Sequence, residues 1–309
     1  MTKNIFQLAI ASDYEYDGDF IDLIEKKAHQ LELSTYIIWP QNFTETLHKL
    51  QSDEIRFEYL LDRASDTSAY FLELQNWLHQ NGVNIFDSWE KLQWASDKAV
   101  MHMEFKKYNI HTPYTIIIHP YSTNSYIDIS TDQLTKLGKP FIIKPANTTG
   151  AGTGVIDRAE TLQDVMNARM KYKTDKYLLQ EKISPLEIDN RRYWFRCFYC
   201  CNDIICAWWN DITHIYNILT TQEIEMYNLS HLLEIVKKIA DICMLRFFST
   251  EIAYSTEEDL VVIDYVNEVC DMRIQSKHID GVPDSVVEHI AKRIAVFVKE
   301  FLTFNYKEK

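Results

Sequence analysis

The sequence predicts an α/β fold in which a mostly parallel sheet comes first and two mixed α+β regions follow. Three observations predict it. From residue 5 to residue 108, short apolar strands alternate with amphipathic helical segments. The stretch 138–155 places Gly150, Gly152 and Gly154 at alternate positions between two strands. From Tyr193 onward the strands come in pairs joined by short polar turns, as antiparallel neighbours do.

Taken in order, residues 5–11 read as a first strand that ends in an acidic, aromatic loop over 12–17. Phe20, Ile24, Ala28 and Leu31 then recur at helical spacing. Residues 36–39 form a second strand, stopped by Pro40. A short helix over 44–50 leads to a third strand, 57–61, which ends in the loop 62–66. A helix over 69–79, a strand over 83–86 and a single helix over 89–108 complete the region. In a parallel sheet of this kind ligands bind beyond the carboxyl ends of the strands, so the loops at 14–17 and 62–66 share one rim. Arg63 on that rim is either a ligand for an anionic substrate or a partner for Asp62 and Asp66.

The middle region is organised around Lys144 and the glycines. Phe141-Ile142-Ile143 reads as a buried strand with Lys144 at its end, and Val155-Ile156 resumes a strand after the loop. In a chain with only seven glycines, three at alternate positions are notable. Residues without a Cβ let successive N–H groups point inward and form a concave anion site, to which a lysine adds a point charge. The lysine precedes the glycines, so this is not a Walker loop, and no helix opens on them, so it is not a dinucleotide fingerprint. A flexible β-hairpin turn is the competing reading. A helix over 161–171 and a strand over 177–183 close the region.

In the last region 193–201 pairs with 204–209 across Asn202-Asp203. A helix over 231–245 follows, with Leu232, Val236, Ile239 and Cys243 on one face. Strands over 247–254 and 260–266 are joined by a polar turn at 255–259, and Ser285 with Glu288 predicts a capping box for the final helix. Glu251 and Asp264 interrupt these apolar strands and fall near one another across the pair. Such carboxylates either share a hard divalent cation or face solvent. Arg192 and Arg196 are spaced for one face and need a partner: phosphate, a substrate carboxylate, or one of these acids.

Composition excludes some functions. A net charge of −13 without a basic run argues against nucleic-acid binding. The N-terminus reads as a strand rather than a signal peptide, and no apolar run approaches a membrane span of about 20 residues. The hydrophobic fraction of 46% supports a sizeable core. Six cysteines lie in apparent strands and helices, which predicts reduced thiols and a cytoplasmic protein. Cys197 and Cys200 have metal-like spacing, but on a strand they face opposite ways.

Together these features resemble the ATP-grasp superfamily, most closely its glutathione-synthetase-like and RimK-type ligases. The resemblance covers nearly the whole chain as an order of elements. It implies an N-terminal domain over 1–95, a central lobe over 96–183 and a C-terminal lobe over 184–309, the two lobes clasping ATP. Ala95-Ser96-Asp97-Lys98 is similar to the family's Asp-Lys helix, and Phe141–Pro145 with the glycine loop is similar to its phosphate-binding lysine and loop. On that resemblance Lys98, Lys144, Thr149, Gly150, Gly152 and Gly154 bind phosphates. Gln180, Glu181 and Ile183 form the adenine hinge, and Glu187 or Asp189 takes the ribose. Arg196 and Lys144 offset charge on the transferred group. Glu251, Asp264 and Asn267 hold Mg2+, or Mn2+. Arg63, Arg192 and Arg273 are candidate substrate ligands. The family spaces its acidic residue and asparagine by one residue; here two intervene between Asp264 and Asn267. Either a bulge realigns them or Glu268 replaces Asn267. Cys270-Asp271-Met272-Arg273 stands where a Pro-Gly segment often follows.

The implied activity is ATP-dependent ligation of a carboxylate to an amine or similar nucleophile, on a small-molecule or peptide substrate, with loss of ADP and phosphate. No nucleophile elbow or His/Cys pair competes with it. A small-molecule kinase is the second expectation, weakened by the scarcity of basic residues. A nucleotide-binding module without turnover is the third, supported by the irregular Asp264/Asn267 spacing.

Overall fold

A computed structural model describes residues 3–148, 152–257 and 259–307, the side chains of 305–307 excepted. The first 85 residues alternate strand and helix: β1 Asn4–Ser12, α1 Gly18–Gln30, β2 Thr35–Ile38, α2 Phe43–Gln51, β3 Ile55–Arg63, α3 Ala69–Gln80 and β4 Asn84–Ile85. The four strands form one parallel sheet in the order β2-β1-β3-β4. β1 and β3 lie at its centre and bury their carboxyl-terminal halves, which is why their sequences run apolar without alternation.

Two helices follow, α4 Trp89–Ser96 and α5 Lys98–Lys107, where the sequence pattern predicts one. Asp97 divides them. Its extended backbone ends the first helix, and its carboxylate caps the second by accepting from the amides of Ala99 (2.9 Å) and Val100 (3.0 Å). The break places Lys98 at the first turn of a new helix.

The middle region comprises β5 Thr115–Ile118, α6 Thr131–Leu137, β6 Phe141–Pro145, β7 Ile156–Ala159, α7 Leu162–Lys171 and β8 Tyr177–Glu181. Its sheet, β5-β8-β6-β7, is antiparallel throughout. The last region starts with a small hairpin, β9 Glu187–Ile188 and β10 Arg191–Arg192. It continues with β11 Trp194–Cys200, β12 Asp203–Trp209, β13 Tyr216–Ile218, α8 Thr221–Met226, α9 Ser230–Cys243, β14 Phe247–Tyr254, β15 Leu260–Asn267 and α10 Asp284–Lys307. These strands form an antiparallel sheet in the order β13-β12-β11-β14-β15.

Both faces of this second sheet are covered. On one, Phe198, Cys200 and Phe247 share a core with Leu8, Ile10 and Phe20 of the N-terminal layer. The α10 residues Val287, Ile290, Ala291, Ile294 and Val298 complete that core and are fully buried. On the other face, Phe195, Phe248, Ile252 and Val262 pack with α9 and with Leu92, Ala95, Met101 and Phe105 of α4 and α5. The helix carrying Lys98 therefore belongs to the core of the C-terminal sheet, and α10 returns to the N-terminal layer.

Three local expectations are corrected. The final helix begins at Asp284, where the Pro283 carbonyl accepts from the amides of Val286 and Val287, so Ser285 lies inside the helix and does not cap it. The β11–β12 turn is Cys201-Asn202, both at positive φ (49° and 76°), one residue earlier than predicted. That turn sets Cys197 opposite Cys206 with Cα atoms 4.0 Å apart, and a disulfide joins them. The expectation of six reduced thiols is overturned at that pair; Cys200, Cys201, Cys243 and Cys270 are free and buried. Among the described residues no helix is long and apolar enough to cross a membrane.

Candidate functional site

The site lies where α5 and the central-sheet strand β6 meet β14 and β15 of the C-terminal sheet. β14 and β15 pair Glu251 with Asp264 directly. Two residues further back on β14, Ser249 pairs with Asn267, three residues further on along β15. β15 thus carries one extra residue between Asp264 and Asn267, a β-bulge. It brings both side chains to one side, and the Asn267 amide nitrogen donates to Asp264 Oδ2 at 3.0 Å. The bulge thus aligns Asn267 with Asp264 despite the two residues between them.

On β11, Arg196 pairs in register with Glu251. Its guanidinium forms a short charge-assisted hydrogen bond to Glu251 Oε1 and donates through Nε to Ser249 Oγ at 3.1 Å. The Trp194 indole donates to Glu251 Oε2 at 3.3 Å. From the opposite side Lys98 Nζ reaches Asp264 Oδ1 at 3.4 Å, and Lys144 Nζ donates to the Ile263 carbonyl at 3.1 Å. Three cations and two carboxylates thus converge from α5, β6, β11, β14 and β15.

Their electrostatics follow from burial and mutual charge. Burial works against ionisation of Asp264, but Lys98, Lys144 and Arg196 outweigh it and hold the carboxyl well below the usual carboxylate range. Burial pushes the Glu251 carboxyl up, and Arg196 pulls it partly back. Burial lowers the Lys144 amine, with Asp264 opposing. Burial also disfavours the Arg196 charge, and Glu251 more than offsets that.

Among the described residues no group of three or more His, Cys, Asp and Glu has the arrangement to hold a metal. Glu251, Asp264 and Asn267 are two carboxylates and an amide brought to one place by register and bulge. That set suits Mg2+, which takes one or two carboxylates and completes its shell with phosphate oxygens and water. The residues fit the ion.

Other predicted residues stand apart from this cluster. Thr149 and Gly150 lie outside the described residues. Gly152 and Gly154 adopt positive φ (74° and 79°), which only glycine takes freely. Glu181 ends β8 and its carboxylate accepts from the Tyr114 amide at 2.6 Å, while Ile183 lies in the connector beyond. Glu187 ion-pairs with Arg192 at 3.5 Å, and Arg192 is further engaged by Asp211 (2.5 and 2.8 Å). Asp189, in the hairpin turn, lines a groove of about 210 Å3 with Arg191, Arg192, Trp209 and Asn217. Trp209 stacks on His214 with rings 6° from parallel, and Arg196 sits 5.9 Å from its centroid. Arg273 is held by Asp271 and Asp280. Arg63 is buried and bidentate to Asp17 (2.7 and 2.8 Å), donating also to the Cys270 carbonyl. Its partner is therefore Asp17 across the rim, not Asp62 or Asp66.

A buried polar chain behind the site was not legible in the sequence. Gln180 donates to Tyr265 Oη at 2.7 Å, and Tyr265 Oη lies 2.7 Å from His102 Nδ1. The chain ties β8 to β15 next to Asp264. Burial, reinforced by Lys106, pulls the His102 pKa down to about 4 from 6.5, so the ring is neutral at pH 7. Between these pH values the unfolded chain binds the extra proton. This contribution to stability is therefore complete above pH 6.5 and is lost as pH falls towards 4, at about 1.4 kcal/mol per unit. Denaturant titrations of wild type and His102→Gln across pH 4–7 should show a shallower pH dependence in the variant. Parallel curves would remove His102 as the cause.

No protein-family model matches the chain, and no curated protein matches its sequence. Its fold is similar to a RimK-domain ATP-grasp protein from Sphaerobacter thermophilus, with TM-score 0.63, 14% identity and coverage of 94% of this chain and 98% of that one. It is similar to the ATP-grasp ligase PsnB in complex with the precursor peptide PsnA2 and AMPPNP, with TM-score 0.64, 10% identity and coverage of 97% and 99%. D-alanine–D-alanine ligase from Bacillus anthracis, in complex with ATP, matches with TM-score 0.62, 13% identity and full coverage of both chains. The chain has the ATP-grasp fold.

Proposed function

We propose that this chain is an ATP-dependent ligase that joins a carboxylate to an amine, binding Mg-ATP between its central and C-terminal sheets. One observation carries the reading: Lys98, Lys144, Arg196, Glu251, Asp264 and Asn267, from five elements spread over 170 positions of sequence, meet at one place. Three cationic side chains against two carboxylates leave one net positive charge, which a divalent ion raises further. That balance suits a triphosphate. Solved structures with this fold, at 9–14% identity, include ligases bound to ATP, to AMPPNP, or to Mg and ADP.

Each side chain then has a part. Glu251, Asp264 and Asn267 would hold Mg2+, which neutralises phosphate charge as the γ-phosphoryl group leaves. Lys144 and Lys98 grip phosphate oxygens from the central-sheet side. Arg196 releases Glu251 to the metal and turns its guanidinium to the transferred group. No side chain acts as a nucleophile; the chain orients, neutralises and excludes water. The rim loops at 12–17 and 62–66 and the segment 270–273 are left to receive the substrates.

The test is a mass-resolved assay with purified protein, Mg-ATP and a pooled metabolite extract. ADP, phosphate and a product equal to two metabolites less water are expected. A metabolite heavier by one phosphoryl group would replace the ligase with a kinase.

A further inference from the structure

We infer that the turn at 172–176, between α7 and β8, is the mount that holds the phosphate-gripping segments in register, with Asp175 as its positioning residue. The inference rests on the reading that Lys98 and Lys144 grip a nucleotide's phosphates. Asp175 is buried, only 6% exposed, and its carboxylate accepts four hydrogen bonds from the entrance of the glycine-rich loop. Oδ2 accepts from the amides of Asn147 and Thr148 (both 3.0 Å) and from Thr148 Oγ1 (2.8 Å), and Oδ1 accepts from Asn147 Nδ2 (3.1 Å). Aspartates in turns commonly cap amides two residues on. Here the partners are 27 and 28 residues away in sequence, so the bonds fix one segment against another.

The next residue extends the mount. The Lys176 carbonyl accepts from the Ala146 amide at 2.9 Å, and the Ala146 carbonyl accepts from the Lys98 amide at 3.1 Å. Lys176 Nζ meets Asp97 Oδ2 at 2.5 Å, on the carboxylate that caps α5. The backbone just after Lys144 is thus stitched on one side to residue 176 and on the other to Lys98. At the far end of the loop, a Cβ on Gly154 would come within 2.7 Å of the Tyr172 ring and 2.9 Å of Pro145. One turn therefore abuts both described ends of the glycine-rich segment.

The arrangement does more than support the loop. The Asn147 and Thr148 amides are spent on a protein carboxylate, so they do not face a phosphate. An anion is directed instead to the two lysines. Loss of Asp175 would free those donors and let the strand end drift from Lys98. The effect falls on phosphates and spares the nucleoside.

The experiment measures dissociation constants of the full chain for Mg-AMPPNP and for AMP by calorimetry. Asp175→Ala is expected to weaken Mg-AMPPNP by roughly 10- to 100-fold and AMP by less than about threefold. Asp175→Asn keeps one acceptor oxygen and should lose roughly three- to tenfold for Mg-AMPPNP; it carries the same test if the alanine variant does not fold. Unchanged Mg-AMPPNP affinity would overturn the inference. Equal losses for both ligands would also overturn it, because the turn would then only hold the lobe together. Wild-type protein that binds neither ligand would instead overturn the nucleotide reading beneath it.

Discussion

In Asp264→Asn protein, Mg2+ is expected to stop improving nucleotide affinity, and turnover should fall by roughly a thousandfold. The substitution is nearly isosteric, so packing on β15 is retained and the change is one of charge. Asp264 is ionised because Lys98, Lys144 and Arg196 surround it, and it stands opposite Glu251 across the strand pair. Neutralising it removes one of two carboxylates from the cation's donor set. It also leaves three cationic side chains facing Glu251 alone. Those two effects have opposite signs, the first felt only with metal and the second also by nucleotide without it, which makes the result specific. Metal-free ATP should bind Asp264→Asn at least as tightly as wild type, while the gain on adding Mg2+ disappears. Titrating AMPPNP with and without Mg2+ in both proteins separates the terms. An undiminished Mg2+ effect would move the metal site elsewhere in the cleft.

The sequence discloses this part of the site for physical reasons. A carboxylate inside an apolar strand is conspicuous, and the turn between residues 254 and 260 is short enough to set the register of β14 on β15. The alternating βαβ pattern of the first 85 residues is legible for the same reason: buried parallel strands are apolar along their whole length. Asp175 was not legible, because one aspartate in a polar turn is ordinary until its distant partners are known. Arg63 is legible as a residue in need of a partner, but Asp17, 46 residues away, is not legible as that partner because only the fold brings the two together. The break at Asp97 was hidden because Trp89–Ser96 and Lys98–Lys107 are both helical and only the cap between them differs. β5 and α6 were missed because they are short, four and seven residues, and mostly half-exposed or exposed.

Replacing Lys144 tests the other half of the cleft, and its expected signature is a large loss of affinity without loss of stability. Burial lowers the Lys144 amine, and its ammonium already donates to the Ile263 carbonyl. Much of the desolvation a phosphate-binding cation must undergo has thus occurred on folding, and what remains on binding is mostly attraction. Lys144→Ala should weaken Mg-AMPPNP by several hundredfold or more, on the order of 4 kcal/mol for a desolvated charge-assisted contact. Lys144→Met, which keeps the stem and removes the charge, should lose nearly as much. A buried cation stabilises a fold poorly, because its desolvation opposes its pairing. The Met variant should therefore unfold at the wild-type temperature or slightly above. Affinity lost with stability retained identifies a charge positioned for a ligand. Stability lost with affinity would mean that the bond to Ile263 is structural, and affinity retained in both variants would remove Lys144 from the phosphate site.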